Sequence, residues 1–135
     1  ASTGNRFEPG KKPMSTMAPT MVFNKDGELS LITGSPGGSL IPAAILRVVT
    51  GVIDFELDIG QATMLPRVHK DWPTTGILYE RTLNADSIRG IRNIGHKMTP
   101  EHTMGSTQSI HIIDGVNYGY ADLRRPNASV STQAN

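Results

Sequence analysis

"LITGSPGGSLIPAAILRVV" spans Leu31 to Val49, and it decides the fold because it joins an apolar strand to the most apolar helix of the chain. Two adjacent glycines, Gly37 and Gly38, stand where that helix is expected to begin. Amide N–H groups at a helix N-terminus have no carbonyl partner within the helix, so they can receive a negative charge. The stretch therefore predicts a strand, a glycine loop and a helix, with the loop serving either as a plain turn or as an anion site.

The helix after the loop has almost no polar face. Ser39 is expected to be its N-cap and Pro42 to lie in its first turn, and the helix is expected to run to about Phe55. Arg47 is its only charge before Asp54. A helix that is apolar all round is covered on most sides. We expect it to lie inside a layered α/β structure, with one of its covers supplied by sequence outside this chain.

Turn and capping residues predict the other elements. The dipeptides Asp26-Gly27 and Asp114-Gly115 each predict a β-hairpin. Asp58 and Asn84 are expected to cap two further helices, the first ended by Pro66 and the second by Gly95, with three inward isoleucines, Ile88, Ile91 and Ile94. The predicted strands are residues 20–23, 28–33, 76–80, 109–113 and 116–120. The predicted order is therefore ββ-αα-β-α-ββ, a mixed α/β (α+β) fold with mainly antiparallel strands.

Composition narrows the classes of function. A chain of 135 residues with net charge +1 predicts one domain and gives no support for nucleic-acid or anionic-membrane binding. It contains no cysteine, which excludes disulfides and thiolate catalysis. No stretch reaches the roughly 18 apolar residues of a membrane span, and the N-terminal residues lack the apolar core of a signal peptide. Asn127-Ala128-Ser129 fits the glycosylation sequon, a triplet that is common by chance.

Few residues suggest a chemical site. The four histidines lack metal-ligand spacing, so we expect neither a metal nor a cofactor: His69, His96, His102 and His111. No Gly-x-Ser-x-Gly elbow is present, and the glycine loop matches neither a P-loop nor a dinucleotide fingerprint. Ser15 and Thr16 place two adjacent hydroxyls before an Ala-Pro turn, and paired hydroxyls can bind a carboxylate or simply form a turn.

Three blocks together resemble the γ-glutamyltransferase (γ-glutamyltranspeptidase) family. They are "KKPMSTMAPTMVFNKDGELSLITGSPGGSLIPAAILRVVTGVIDF" (Lys11–Phe55), "ATMLPRVHKDW" (Ala62–Trp72) and "MGSTQSIHIIDGVNYGYADLRRP" (Met104–Pro126). Their order and spacing are similar to the C-terminal two-thirds of the family's small subunit. The resemblance implies an N-terminal-nucleophile hydrolase fold, a four-layer αββα sandwich made by a precursor that cuts itself into a large and a small subunit.

The resemblance also implies a function. In the family, the new N-terminal threonine of the small subunit attacks the γ-glutamyl carbonyl of glutathione and related donors, and the acyl group passes to an amino acid, a peptide or water. The family's "S-P-G-G-S" falls on residues 35–39, which assigns Gly37 and Gly38 to the oxyanion hole. Its "P-x-S-S-M" falls on residues 13–17, which assigns Ser15 and Thr16 to the donor's α-carboxylate, with Thr16 replacing a serine. The family's Asp-Pro-Arg is Asp122-Leu123-Arg124 here, a segment for which we expect a structural role.

The same resemblance implies that other parts lie outside this chain. The nucleophilic threonine, the groups that bind the donor's α-amino group, and the large subunit are expected upstream, since Ala1, Ser2 and Thr3 do not resemble the start of the family's small subunit. The expected partners are a γ-glutamyl donor such as glutathione, the large subunit and the remainder of the small subunit. A periplasmic or secreted bacterial protein is implied.

The expected organisation is an irregular segment over residues 1–13, a partial small-subunit domain over 14–126 and a polar tail over 127–135. Two alternatives remain open. One is a non-catalytic module of the same fold that binds an anion or a partner. The other is a related acylase or a capsule poly-γ-glutamate transferase.

Overall fold

A computed structural model describes residues 5–72, 76–126 and 128–132 of the chain. Ala1, Ser2, Thr3 and the sequon residue Asn127 lie outside the described residues. The described strands are β1 (Thr20–Phe23), β2 (Leu29–Gly34), β3 (Val68–His69), β4 (Gly76–Glu80), β5 (Lys97–Glu101), β6 (Gln108–Ile113) and β7 (Val116–Ala121). The described α-helices are α1 (Ile41–Ile53), α2 (Ile59–Met64) and α3 (Ala85–Asn93).

The strands form two sheets. The larger has the order β1-β2-β6-β7 and is antiparallel throughout, whereas the smaller has the order β3-β4-β5 and pairs β4 with β5 in parallel through α3. The mixed α/β content with mainly antiparallel pairing confirms the predicted class. No helix in the described part of the chain is long and apolar enough to cross a membrane.

Local turn chemistry accounts for the confirmed elements. Both predicted hairpins form within one residue of their expected ends. Asp114 and Gly115 both have positive φ, 50° and 75°, which is the conformation that a two-residue hairpin turn requires. The side chain of Asp58 accepts the amide of Gln61 in a capping box, and that of Asn84 accepts the amide of Ser87, as expected for N-caps.

The structure corrects three predictions. Strands β3 and β5 were not expected; β3 has two residues, and β5 carries Pro100, which an edge strand tolerates because one side of its backbone is unpaired. Ser39 is not the N-cap, because a 3₁₀ turn over Gly38–Leu40 precedes α1 and makes Leu40 its N-cap residue. Ile94 is 75% exposed, because α3 ends at Asn93 and Ile94 no longer follows the helical period.

The core lies between the larger sheet and helices α1 and α2. Its buried residues are Leu31, Val48, Val52, Ile59 and Ala62. Helix α1 buries one face there, but Leu46 on its other face is 62% exposed. The sequence predicted a helix covered on most sides, but the described residues cover α1 on one side only.

A buried ionic cluster joins the end of β4 to the segment after β7. Arg67 Nη2 lies 2.7 Å from Asp122 Oδ2, and Arg124 Nη2 lies 2.7 Å from Glu80 Oε2. Each of the four side chains is at most 8% exposed. Asp122 and Arg124 thereby confirm the structural role expected of their segment.

Hydrogen bonds keep both carboxylates of the cluster ionised. Burial by itself would raise the pKa of Glu80, but hydrogen bonds from Arg124 and from backbone amides hold that pKa below its ordinary value. Burial opposes ionisation of Asp122 in the same way, and backbone amides together with Arg67 outweigh it, so this pKa is lowered too. Removing Arg124 would leave Glu80 buried without a cation, and removing Arg67 would leave Asp122 with only Arg124, at 3.2 Å.

Candidate functional site

The candidate site begins where β2 ends. Strand β2 stops at Gly34, and the chain turns through Ser35 and Pro36 into the two glycines and the 3₁₀ turn that precedes α1. Gly37 has φ 148° and ψ 10°, and Gly38 has φ 58°. Both values lie in the region that favours glycine, because a Cβ would meet the neighbouring backbone. The backbone path of this loop therefore depends on the absence of side chains.

The amides of the two glycines are left without an acceptor among the described residues. Neither N–H donates a hydrogen bond to another described residue, whereas the carbonyl of Gly37 accepts the amide of Leu40 at 3.1 Å. A Cβ placed on Gly38 would meet no atom within 4 Å, so the space beside this residue is open. Two free amides at the start of a helix, with open space beside Gly38, are suited to an oxygen that carries negative charge.

The hydroxyl pair lies beside this loop. Thr16 Oγ1 donates a hydrogen bond of 2.7 Å to the carbonyl oxygen of Gly38, across 22 residues of sequence. The structure thus brings together two segments that the sequence analysis proposed separately. Because a hydroxyl has one proton, the proton of Thr16 is used by the loop in this arrangement.

Ser15 differs from its neighbour. It is exposed, and its Oγ accepts the amide of Met17 at 3.3 Å. Its own proton has no acceptor among the described residues and remains able to bind an anion. The two hydroxyls are therefore not equivalent, a distinction that their adjacency in sequence did not reveal.

Residues 104–107 pack against the loop that holds the two glycines, a role that the sequence did not predict. The amide of Ser106 donates a hydrogen bond of 3.0 Å to Ser35 Oγ, and Gly105 Cα lies 3.3 Å from where a Cβ of Gly37 would stand. The letters "MGSTQS" were part of the family resemblance, but no local pattern indicated which part of the chain they contact.

A groove lies elsewhere on the protein, away from the glycine loop. It has a volume of about 1320 Å³ and is lined by the hairpin ends and the start of α2, including Asn24, Asp58, Asp114 and Tyr118. None of the four predicted site residues lines it. His111 also faces this groove, and burial lowers the pKa of its imidazole. Within the described residues, no group of three or more histidine and carboxylate side chains could hold a metal ion.

Comparisons with known proteins agree on one family. The family model described as "Gamma-glutamyltranspeptidase" matches residues 1–132. The glutathione hydrolase proenzyme of Escherichia coli is 40% identical over 121 residues, which are 89% of this chain and 21% of that protein. The glutathione hydrolase proenzyme of Bacillus subtilis is 32% identical over 129 residues, 93% of this chain and 22% of that protein. The chain therefore spans about a fifth of the length of the curated relatives it matches.

A solved structure supports the fold independently. The γ-glutamyltranspeptidase of Helicobacter pylori superposes with a TM-score of 0.83 at 32% identity, covering 93% of this chain and 69% of that chain. This likeness confirms the predicted fold class, part of an N-terminal-nucleophile hydrolase.

Proposed function

The chain belongs to the γ-glutamyltranspeptidase family, and on that premise we propose that it is part of an enzyme that transfers the γ-glutamyl group of glutathione to amino acids, peptides or water. The observation that carries the proposal is the contact between the Gly37–Gly38 loop and the hydroxyl pair at Ser15 and Thr16. A γ-glutamyl donor has a carbonyl that must gain charge and an α-carboxylate that must be held. The glycine loop offers amide donors for the carbonyl oxygen, and the hydroxyl pair offers donors for the carboxylate.

Gly37 and Gly38 are proposed to form the oxyanion hole. When a nucleophile adds to the donor carbonyl, the new bond forms at carbon and the π electron pair moves to oxygen. The free amides at the start of the helix donate to this oxygen, and the helix dipole adds to the stabilisation. Loss of one such donor costs about 3 kcal/mol in enzymes where it has been measured. The nucleophile is assigned to the family's threonine, which lies outside these 135 residues.

We propose that Ser15 binds the donor's α-carboxylate through its free hydroxyl proton. Thr16 is proposed to lie beside the same carboxylate. In the arrangement described, Thr16 donates to the carbonyl of Gly38, so donation to the carboxylate would require the hydroxyl to rotate and to give up that hydrogen bond. Ser15 is for this reason the stronger candidate of the two.

The large subunit and the remainder of the small subunit are proposed to cover the apolar surfaces that this chain leaves open. Met21, Ile32 and Ile110 are paired across β1, β2 and β6, and they lie on the sheet face away from α1 because their neighbours Val22 and Leu31 pack beneath that helix. Met21 is 63% exposed. A row of this kind on a sheet needs another layer over it, as the four-layer sandwich supplies.

The proposal is tested by comparing this chain with the complete protein of which it is a part. The complete protein, after self-cleavage, should release the anilide from a γ-glutamyl anilide and consume glutathione. The 135-residue chain alone should release none, because it lacks the activated nucleophile. Binding of glutathione by the complete protein without turnover would favour the non-catalytic module. Turnover by the pure chain would contradict its assignment as part of a larger site.

Assembly is tested on the isolated chain. Exposed apolar side chains on the outer face of α1 and on the open sheet face should cause self-association or strong binding of an apolar-surface dye. Sedimentation and dye fluorescence measure this. A monomer with a sharp thermal transition and no dye binding would show that the chain needs no further cover.

A further inference from the structure

Ser35 connects the glycine loop to a distant part of the chain. Its Oγ accepts the amide of Ser106 at 3.0 Å and donates to the carbonyl of Pro36 at 2.7 Å. The hydroxyl therefore acts both as a donor, to the turn that precedes Gly37, and as an acceptor, from the segment of residues 104–107. The Ser35 side chain thus links the turn to that segment by two hydrogen bonds.

The contact behind the loop leaves no free space. A Cβ on Gly105 would lie 2.6 Å from Ser35 Oγ and 3.2 Å from Ala44 Cβ, and a Cβ on Gly37 would lie 3.3 Å from Gly105 Cα. Backbone therefore packs directly on backbone here. Because interiors are close-packed, a displacement of the rear segment moves the loop rather than being absorbed by a gap.

The rear segment is held in turn by the buried ionic cluster. Arg67 Nη1 donates to the carbonyl of Met104 at 2.7 Å, and the amide of Met104 donates to Glu80 Oε1 at 2.9 Å. The amide of Thr107 donates to Asp122 Oδ2 at 2.9 Å. Charged groups thus bind the backbone at both ends of the segment, which makes it a rigid support.

We propose that Ser35 is a positioning residue that aims the amides of Gly37 and Gly38 by tying their turn to the support at residues 104–107. The inference rests on the proposed function, since it concerns the same oxyanion hole. Ser35 itself touches no reacting atom. Its effect is expected in the transition state, where the oxyanion is fully formed, and little in the binding of the uncharged donor carbonyl.

The test uses the complete protein carrying Ser35→Ala, with Ser39→Ala as the matched control. Ser39 is exposed, lies in the same loop, and its hydroxyl has no partner among the described residues. The measurements are kcat per self-cleaved molecule, KM for a γ-glutamyl anilide, and the inhibition constant of a γ-glutamyl boronic acid. The adduct of that acid with the nucleophile places a charged oxygen in the oxyanion hole.

Ser35→Ala should lower kcat by about ten-fold or more, since small misplacements of catalytic groups have effects of this size. It should weaken binding of the boronic acid by a similar factor, whereas KM should stay within about two-fold of the wild-type value. Ser39→Ala should change neither quantity. If the wild-type protein hydrolyses the anilide and Ser35→Ala retains its kcat and boronic acid affinity, the inference is wrong. A wild-type protein without any γ-glutamyl hydrolysis would instead refute the proposed function.

If Ser35→Ala fails to fold or to cleave itself, hydrogen exchange of the wild-type protein still tests whether the loop and residues 104–107 are coupled. The hydrogen-bonded amides of Leu40 in the loop and of Met104, Ser106 and Thr107 in the rear segment should lose protection at the same denaturant concentration, because the two segments open as one unit. Protection of 104–107 that persists after the Leu40 amide has lost its own would refute the coupling.

Discussion

Replacing Gly38 by alanine separates catalysis from architecture at the oxyanion loop. A Cβ at this position meets no atom within 4 Å, so the structural cost is limited to the strain of alanine at φ 58°, about 1–2 kcal/mol. If the Gly38 amide stabilises the oxyanion, the methyl group stands beside the space that the acyl group must enter. We expect kcat per self-cleaved molecule to fall at least ten-fold, which corresponds to about 1.4 kcal/mol of transition-state stabilisation, with little change in donor affinity.

Gly27 supplies the matched control. It has φ 82°, lies in the β1–β2 hairpin turn, and a Cβ there also meets no atom within 4 Å. Gly27→Ala should therefore lower the melting temperature of the complete protein about as much as Gly38→Ala does, while leaving kcat unchanged. Gly37→Ala should be more destabilising than either, because its φ of 148° at ψ 10° is rarely open to a side chain and its Cβ would lie 3.3 Å from Gly105 Cα.

The assay combines calorimetry, quantification of the cleaved subunits and steady-state kinetics on a γ-glutamyl anilide. Counting only self-cleaved molecules removes losses due to poor processing. The reasoning is refuted if Gly38→Ala matches Gly27→Ala in both melting temperature and kcat, since the two glycines of the loop would then be needed only for the turn.

Further predictions concern the hydroxyl pair and the ionic cluster. In the complete protein, Ser15→Ala should raise the donor KM by the loss of a hydrogen bond to a charged group, about 1.5–3 kcal/mol; an unchanged KM would argue against a carboxylate contact. Thr16→Ser should be nearly silent because it keeps the donor to the Gly38 carbonyl, whereas Thr16→Val should lower kcat several-fold, as kinetics on both variants would show. Arg67→Met should destabilise the protein by about 3 kcal/mol in denaturant titration, because the buried Asp122 carboxylate loses its partner at 2.7 Å and keeps only Arg124 at 3.2 Å. The pKa values of Glu80 and Asp122 are lowered on folding, so their stabilisation should be complete above about pH 4.5 and should decline as the pH falls below it, which thermal melts across pH 3–7 would measure.

Much of the fold was predictable from neighbouring residues. The two Asp-Gly turns, the caps at Asp58 and Asn84 and the proline in the first turn of α1 act within about four residues, so their chemistry is visible in the sequence. The strand–loop–helix unit, with the two glycines in its loop, was predictable for the same reason: periodicity and turn residues specify a local backbone path.

Local patterns misplaced the elements that depend on distant partners. Strand β5, with the sequence "KMTPE", has little intrinsic preference for extended structure and is held by its parallel pairing with β4. Ser39 fitted the residue preference of an N-cap, but the packing of Gly37 against Gly105 starts the first turn earlier, as a 3₁₀ turn. In both cases a tertiary contact outweighed a preference of about 1 kcal/mol or less.

The sequence by itself determined the family, through three blocks of motifs in order, and the mixed α/β class with mainly antiparallel strands, and it nominated four candidate site residues, because motifs and periods can be read without knowing which segments touch. Only the tertiary structure decided how those residues relate to one another. It joins Thr16 to Gly38 and seats Gly37 on Gly105, and it buries Arg67 against Asp122 across 55 residues of sequence. The physical reason is that a hydrogen bond or a buried charge pair depends on distance in space, and chain folding alone brings such partners within about 3 Å.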